Sequence, residues 1–412
     1  MTAARLRILV ISDLHAHASD PLASSSPSYY STDSRYRSKA LNPLFDLSDL
    51  IRREGLKVDW VVSPGDLGDR ANVSAQKSAW DDLKDIKSKL GASLLIGTAG
   101  NHDIDSRRAE KDFDPKTALQ LLDPLFPIDE VCFQLGDRVY ADRYWSRNFV
   151  VVPFKKFDAT LVIINSSAFH GYSSDVNKAP DEHLHGRISP QTLDAISAAV
   201  ESSGSAINVA LLHHHVKKHP WIEDGGSVAK GGDRLLELLK ETERPWLVLH
   251  GHEHVPHLSY SDATPFAPIV LSAGSVAAKT YRVRGGHPRN QIHHIEIDPT
   301  HLACGGVNLM GLVKTWTWSP EVGWSRAQGD AGLPYECGFG YRADMGELRD
   351  RLITFGRASA GGFSRWAQVL TFEPRLAYLT PDDQTGLFKM LKAKGAKLQF
   401  DDEGQPSGLE VS

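Results

Sequence analysis

Residues 5–15 read Arg5-Leu6-Arg7-Ile8-Leu9-Val10-Ile11-Ser12-Asp13-Leu14-His15, a short β-branched run that ends in a carboxylate and an imidazole. The same construction returns four more times. Val61-Val62 leads to Gly65-Asp66, Leu94-Leu95-Ile96 to Gly100-Asn101-His102-Asp103, and Val209 to Leu212 to His213-His214-His215. Leu247-Val248-Leu249 then leads to Gly251-His252-Glu253-His254. Runs of this length and composition predict buried strands. In an open α/β sheet, ligands bind in the crevice beyond the carboxyl ends of the strands, so five polar clusters at five such ends predict one shared site.

Outward from these runs the chain keeps the same rhythm. Predicted strands cover 5–11, 58–62, 94–96, 160–164, 207–212, 246–249 and 269–271, with helical periods at 43–53, 74–90, 190–200 and 232–243. This is an α/β pattern of strands joined by helices. His17 to Asn42 has no apolar period and reads either as a long loop over the site end of the sheet or as a surface insertion without a role. Asp103 to Pro115 is a second, charged loop. Beyond Asp298 the texture becomes aromatic and Gly-rich, with Trp316, Trp318 and Trp324, and then helical at 345–355 and 382–394. The expected division is a domain over 1–300 and a C-terminal extension over 301–412 that packs on the first domain or docks a partner or a second copy.

The residue types in the clusters name a chemistry. Imidazole and carboxylate without thiolate suit Mn, Fe or Zn. About seven donors are more than one ion needs, which predicts a dinuclear centre holding two divalent metal ions. One carboxylate must then bridge cations ~3.5–4 Å apart. Asp66, after a glycine that allows close backbone approach, suits the bridge. Such a pair lowers the pKa of a bridging water, generates hydroxide at neutral pH and screens an anionic substrate, so phosphoryl transfer to water is the favoured reaction.

Asp13-x-His15, Gly65-Asp66, Gly100-Asn101-His102-Asp103, a histidine after the next strand and Gly251-His252-x-His254 together resemble the motif series of the calcineurin-like metallophosphoesterases, in the family's order. The resemblance spans about residues 5–300 and implies a four-layer α/β/β/α sandwich with a C-terminal appendage. It implies that Asp13, His15, Asp66 and His254 hold one metal, and that Asp66, Asn101, His214 and His252 hold the other. His102 resembles the residue that hydrogen-bonds the substrate phosphate and protonates the leaving oxygen, with Asp103 expected to orient it. The family usually has a proline near the fourth-motif histidine. Matching Val216 to it selects His214 and leaves His213 as the alternative. His250 reads as a core residue or a support for the ligands, and His17, His170, His183, His185, His219, His293 and His294 as surface or supporting residues.

The implied function is hydrolysis of a small phosphodiester or phosphomonoester by metal-bridging hydroxide, with the cyclic-nucleotide phosphodiesterase branch nearest in motif spelling. A nuclease or nucleic-acid repair phosphodiesterase of the same fold is the second reading, favoured by the basic, Tyr-bearing segment Tyr29–Lys39. A protein phosphatase is the third, because Gly65-Asp66-Leu67-Gly68-Asp69-Arg70 resembles the Gly-Asp-x-x-Asp-Arg of calcineurin-type phosphatases, although the third motif ends in Asp103 rather than Glu. A non-catalytic scaffold would leave ligand positions missing, and none is missing here.

Composition narrows the field further. Lys and Arg number 46 against 51 Asp and Glu, a net charge of −5, so no global positive field holds a polyanion. Three cysteines, Cys132, Cys304 and Cys337, show no paired spacing and argue against a disulfide framework or a thiolate metal site. The run from Ile8 to Ile11 is too short for a signal-peptide core or a membrane span. A soluble, cytoplasmic protein with no membrane partner is the expectation.

Overall fold

The outer helices begin where the sequence supplies caps. In this computed structural model, which describes residues 4–105, 114–129, 138–171, 182–222, 225–284, 286–300, 308–329 and 332–411, the Asn42 side chain accepts from the amides of Leu44 and Phe45 to open α1 (Pro43–Glu54). Asn72 accepts from Ala75 to open α2 (Val73–Leu90). Both helices stop at a glycine with a left-handed backbone, Gly55 and Gly91, where a side chain would be strained. Further along come the short α3 (Thr117–Gln120), α4 (Val139–Arg147) and the short α5 (Glu182–His185). Ser189 caps α6 (Pro190–Glu201), followed by α7 (Gly232–Glu241).

Two sheets carry the fold. In the first, β1 (Leu6–Val10), β2 (Trp60–Ser63) and β3 (Leu94–Gly97) are parallel. The other edge of β1 pairs antiparallel with β10 (Asn290–Asp298), which pairs with β11 (Met310–Ser319). In turn, β11 pairs with β12 (Gly323–Arg326) and β13 (Glu336–Phe339). The second sheet has the order β4-β5-β6-β7-β9-β8. Its strands are β4 (Phe149–Phe154), β5 (Ala159–Ile164), β6 (Ile207–Leu211), β7 (Trp246–His250), β8 (His257–Tyr260) and β9 (Ile269–Ser272). The inner four, β5, β6, β7 and β9, run parallel.

The layering follows from strand alternation. Along β6, Val209 and Leu211 join the large core shared with the first sheet, whereas Ala210 and the following Leu212 join Leu193, Ile196, Leu235 and Leu239 of α6 and α7. One face of the second sheet therefore packs on the first sheet and the other is covered by helices. On the first sheet, Leu47 and Leu50 of α1 and Ala79 and Leu83 of α2 close the outer face of the core. The result is the expected α/β architecture of two sheets with helices outside.

The His17–Asn42 segment is ordered against the sandwich. His17 pairs with Ser31, Ser28 with Ala278, and the buried Tyr30 hydroxyl donates to Asp82, which also receives Arg37 at 2.6 Å. Trp316, Trp318 and Trp324 are buried, with Trp318 opposite Trp324 across β11 and β12, so they pack the sheet and offer no face to a base. The chain after residue 300 thus continues the first sheet through β11, β12 and β13. Beyond β13 come α8 (Met345–Ala358), β14 (Phe363–Arg365), α9 (Trp366–Phe372), α10 (Pro381–Ala393), β15 (Lys397–Phe400) and β16 (Pro406–Glu410). Leu348, Leu352, Val369, Leu387, Leu391 and Leu409 form a separate small core there. Of the cysteines, Cys337 is buried and free, while Cys132 and Cys304 lie outside the described residues, as does most of the Asp103–Pro115 loop.

Candidate metal centre

The five polar clusters follow the C-terminal ends of β1, β2, β3, β6 and β7, and the two sheets bring those ends together. The backbone there is bent against its preference. Asp13, His15, Asp66, His252 and His254 all have positive φ, between 46° and 88°, a conformation that costs non-glycine residues about 1–3 kcal/mol each and persists where a site requires it. Glycines make room for them: a side chain on Gly100 would overlap the Asp66 carboxylate, and one on Gly251 the Asp13 carboxylate.

Two donor groups share one oxygen. His15 Nε2 and His213 Nε2 each stand 3.5 Å from Asp66 Oδ2. On the first side, His15 Nε2 is 2.9 Å from His254 Nε2, which is 3.5 Å from Asp13 Oδ1. On the second side, Asn101 Oδ1 lies 2.9 Å from His213 Nε2 and 3.2 Å from His252 Nδ1.

The proton positions fit cation binding. His213 Nδ1 is 2.9 Å from the Pro64 carbonyl, and His252 Nε2 is 2.7 Å from the Leu184 carbonyl. A carbonyl only accepts, so each ring carries its proton on that outer nitrogen and turns a lone pair inward. The charges fit as well. Asp13, Asp66 and Asp103 are buried, and among the described residues no Lys or Arg pairs with any of them. Burial pushes the Asp13 carboxyl up to about 7. Burial, then the neighbouring Asp103 and Asp13, raises the Asp66 carboxyl well above its usual range. Burial holds the His254 imidazole down to about 3 and depresses His15 and His213 likewise. Neutral imidazoles beside unpaired buried carboxylates make a nest that cations would relieve. Asp13, His15 and His254 form one group with ligand atoms within 4.8 Å of one another, and Asp13, Asp66 and His213 form another.

Seven of the eight residues picked from the sequence, Asp13, His15, Asp66, Asn101, His102, His252 and His254, face one another here. His214 stands differently. Its Nδ1 is 2.8 Å from Ser166 Oγ, its Nε2 is buried without a partner among the described residues, and its ring packs on His170. It still lies within reach of His213 and His252 as a third imidazole. His102 leans edge-on to His15 with ring centres 4.6 Å apart. The expected orienting partner of His102 is corrected: its Nδ1 bonds Asp69 Oδ1 at 2.8 Å. Asp103 instead accepts the backbone amides of Asp66, Gly68 and Gly100 at 2.8–3.1 Å and ties two ligand loops together. The missed signal was Asp69 in the Gly65–Arg70 motif.

The sequence family described as calcineurin-like phosphoesterase matches residues 6–256. Among solved structures, a dimetal phosphatase from Danio rerio is 15% identical, with 82% of this chain and 99% of that chain covered and a TM-score of 0.47. A purple acid phosphatase from yellow lupin is 11% identical, with 82% of this chain and 54% of that one covered and a TM-score of 0.45. A calcineurin-like phosphoesterase from Bacillus subtilis is 12% identical over 82% of this chain and 91% of that one, with a TM-score of 0.36. No curated protein matches the sequence.

Proposed function

The chain belongs to the calcineurin-like phosphoesterase family and is a metal-dependent phosphoester hydrolase, and from this premise we propose that it hydrolyses a small phosphodiester, a cyclic nucleotide first, or a phosphomonoester. The observation that carries the reading is the single oxygen, Asp66 Oδ2, equidistant at 3.5 Å from His15 Nε2 and His213 Nε2. Two divalent cations of Mn, Fe or Zn, when bound, would supply a shared water of lowered pKa and screen the phosphate charge. Asp13, His15, Asp66 and His254 would hold one, and Asp66, Asn101, His213 and His252 would hold the other. His213 takes the place first given to His214 because its inner nitrogen faces both Asp66 and Asn101.

His102 binds the phosphate and gives a proton from Nε2 to the leaving oxygen, while Asp69 accepts from Nδ1 and fixes the ring. The net charge of −5 keeps long polyanions second as substrates. The catalytic domain expected over residues 1–300 extends through β13, a reading supported by the pairing of β11 with β10 and of β13 with β11, and the remainder of 301–412 is a docked extension. A cytoplasmic location is supported by the free, buried Cys337. No helix of the described residues is long and apolar enough to cross a membrane.

Metal content by mass spectrometry, measured beside turnover of bis-p-nitrophenyl phosphate, cyclic nucleotides, short oligonucleotides and phosphomonoesters, tests the function. Two metals per chain and turnover that a chelator removes are expected. A fully loaded chain inert on every one of these substrates would refute it.

Two variants read individual roles. His102→Ala keeps its metals and loses about 10²–10⁴ in turnover, the usual contribution of a positioned acid. The loss shrinks for nitrophenyl leaving groups, which need little protonation. Equal losses on nitrophenyl and alkyl esters would reduce His102 to a phosphate-binding residue. His213→Ala loses one metal per chain, whereas His214→Ala retains both. The reverse pattern returns the ligand role to His214.

A further inference from the structure

Behind the Gly251–His254 turn lies a second layer of imidazoles. The ring centre of His215 is 4.4 Å from that of His250 and 5.8 Å from that of His219, and His219 is 5.1 Å from His257. His219 and His257 line a cavity of about 620 Å³, within the usual range of small-molecule sites, ~300–1,000 Å³. A narrow crevice at its base extends to His215 and His250. The cavity shares no residue with the donor groups of the metal centre.

Its lining is built for an anion. Lys217, Lys218 and Arg284 stand on its walls against one carboxylate among the described residues, Asp382. That carboxylate is already engaged, 3.0 Å from His257 Nε2. The Lys217 ammonium is held in place, donating to Ser259 Oγ at 3.1 Å and to the Tyr260 carbonyl.

His219 supplies the second, independent observation. It is 5% exposed, and the Trp221 amide donates to its Nδ1 at 3.1 Å. The ring proton is therefore on Nε2. Burial, with His257 alongside, holds its pKa down to about 3, so the ring is a neutral donor at neutral pH. Yet Nε2 is buried and has no acceptor among the described residues. A buried donor left unsatisfied costs about 1–3 kcal/mol, and cations gathered around it ask for the same partner, an oxyanion.

We infer that this cavity binds a phosphate group, whose oxygens accept from His219 Nε2 and pair with Lys217, Lys218 and Arg284. The phosphate has two sources. It is inorganic phosphate, or it belongs to a nucleotide whose base lies on Trp221. The Trp221 ring centre is 5.8 Å from that of His219, and Trp221 also lines the adjoining cavity that contains Phe388.

Equilibrium dialysis of ³²P-orthophosphate against the metal-loaded full chain tests the site. The wild type should bind a phosphate in addition to any held at the metal centre. The double variant Lys218→Glu/Arg284→Glu, altered at two exposed positions that folding tolerates, should bind this additional phosphate at least about tenfold more weakly, the worth of one charge-assisted hydrogen bond. Its metal content should stay unchanged. His219→Phe, which removes the buried donor, should give a similar loss. Whatever the metal centre binds, the difference between wild type and variants reads this cavity alone. An isotherm identical in wild type and double variant, or no second phosphate in the wild type, overturns the proposal. A non-cleavable phosphonate analogue of AMP then separates the sources. Displacement of the second phosphate at tenfold lower concentration than unlabelled phosphate identifies a nucleotide, and equal potency identifies the free ion.

Discussion

Asp66→Asn is expected to abolish hydrolysis, by about 10³-fold or more, and to bring bound metal below two per chain. Asp66 Oδ1 accepts the His102 amide at 2.8 Å, while Oδ2 faces His15 and His213. In the variant, the His102 amide retains the side-chain oxygen and turns the NH₂ group toward the cations, where it offers hydrogens instead of lone pairs. Metal clamps contribute several kcal/mol of charge stabilisation, and ~4 kcal/mol is three decades of rate. The same substitution should stabilise the chelator-treated protein, because an unpaired buried carboxylate becomes a neutral amide of equal size. Mass spectrometry, turnover and the melting midpoint with and without chelator read all three effects. Retention of two metals with full turnover would remove Asp66 as the carboxylate that the two ions share.

The site was legible in the sequence because its residues sit where strand ends force them to. Short apolar runs specify buried strands, and a parallel strand leaves its next few residues at the crevice, so Asp13, Asp66, Asn101 and His252 needed no tertiary information beyond that rule. What stayed hidden depended on which side faces which. Alternation sends every second residue of β6 to one face, but the sequence does not say which face is the inter-sheet core. Val209 and Leu211 enter that core, so His213 shares their parity and reaches Asp66, while His214 shares the parity of Leu212 on the helix side. The expectation that Asp103 orients His102 failed for a related reason. Chain neighbours need not be spatial partners, and a carboxylate one residue from His102 was drawn into three backbone amides instead. The positive φ values of five candidate ligands left no trace in residue type. The strands β10 and β11 escaped because they alternate polar with apolar residues, as in Lys314-Thr315-Trp316-Thr317-Trp318, rather than forming continuous runs.

Truncation after residue 330 is expected to yield an aggregating or strongly destabilised chain, whereas truncation after residue 343 should leave a soluble protein that keeps its metals. The difference is β13. Its residues pair with β11 from Gly311 opposite Phe339 to Lys314 opposite Glu336, and Phe339 is fully buried in the main core together with Leu333 and Tyr335. Deleting a buried phenylalanine alone costs about 3–5 kcal/mol, a large part of the ~5–15 kcal/mol that holds a typical domain folded. The cut also bares the edge of β11, a long strand whose free amides and carbonyls would pair with another chain. Beyond β13 the account changes. The apolar faces of α8 and α10 bury Leu348, Leu352, Leu387 and Leu391 against one another and against β16, so their loss opens no equivalent wound in the sandwich. What attaches that unit is polar and local. Gly338 donates to the Leu379 carbonyl, the Tyr341 amide donates to the Tyr378 carbonyl, and His257 meets Asp382. Sedimentation and metal content of the two fragments decide the matter. If the fragment ending at 330 is monodisperse and fully loaded, β13 is dispensable and the extension is free to serve a partner. If the one ending at 343 aggregates as well, the small C-terminal core stabilises the sandwich more than its polar attachments account for.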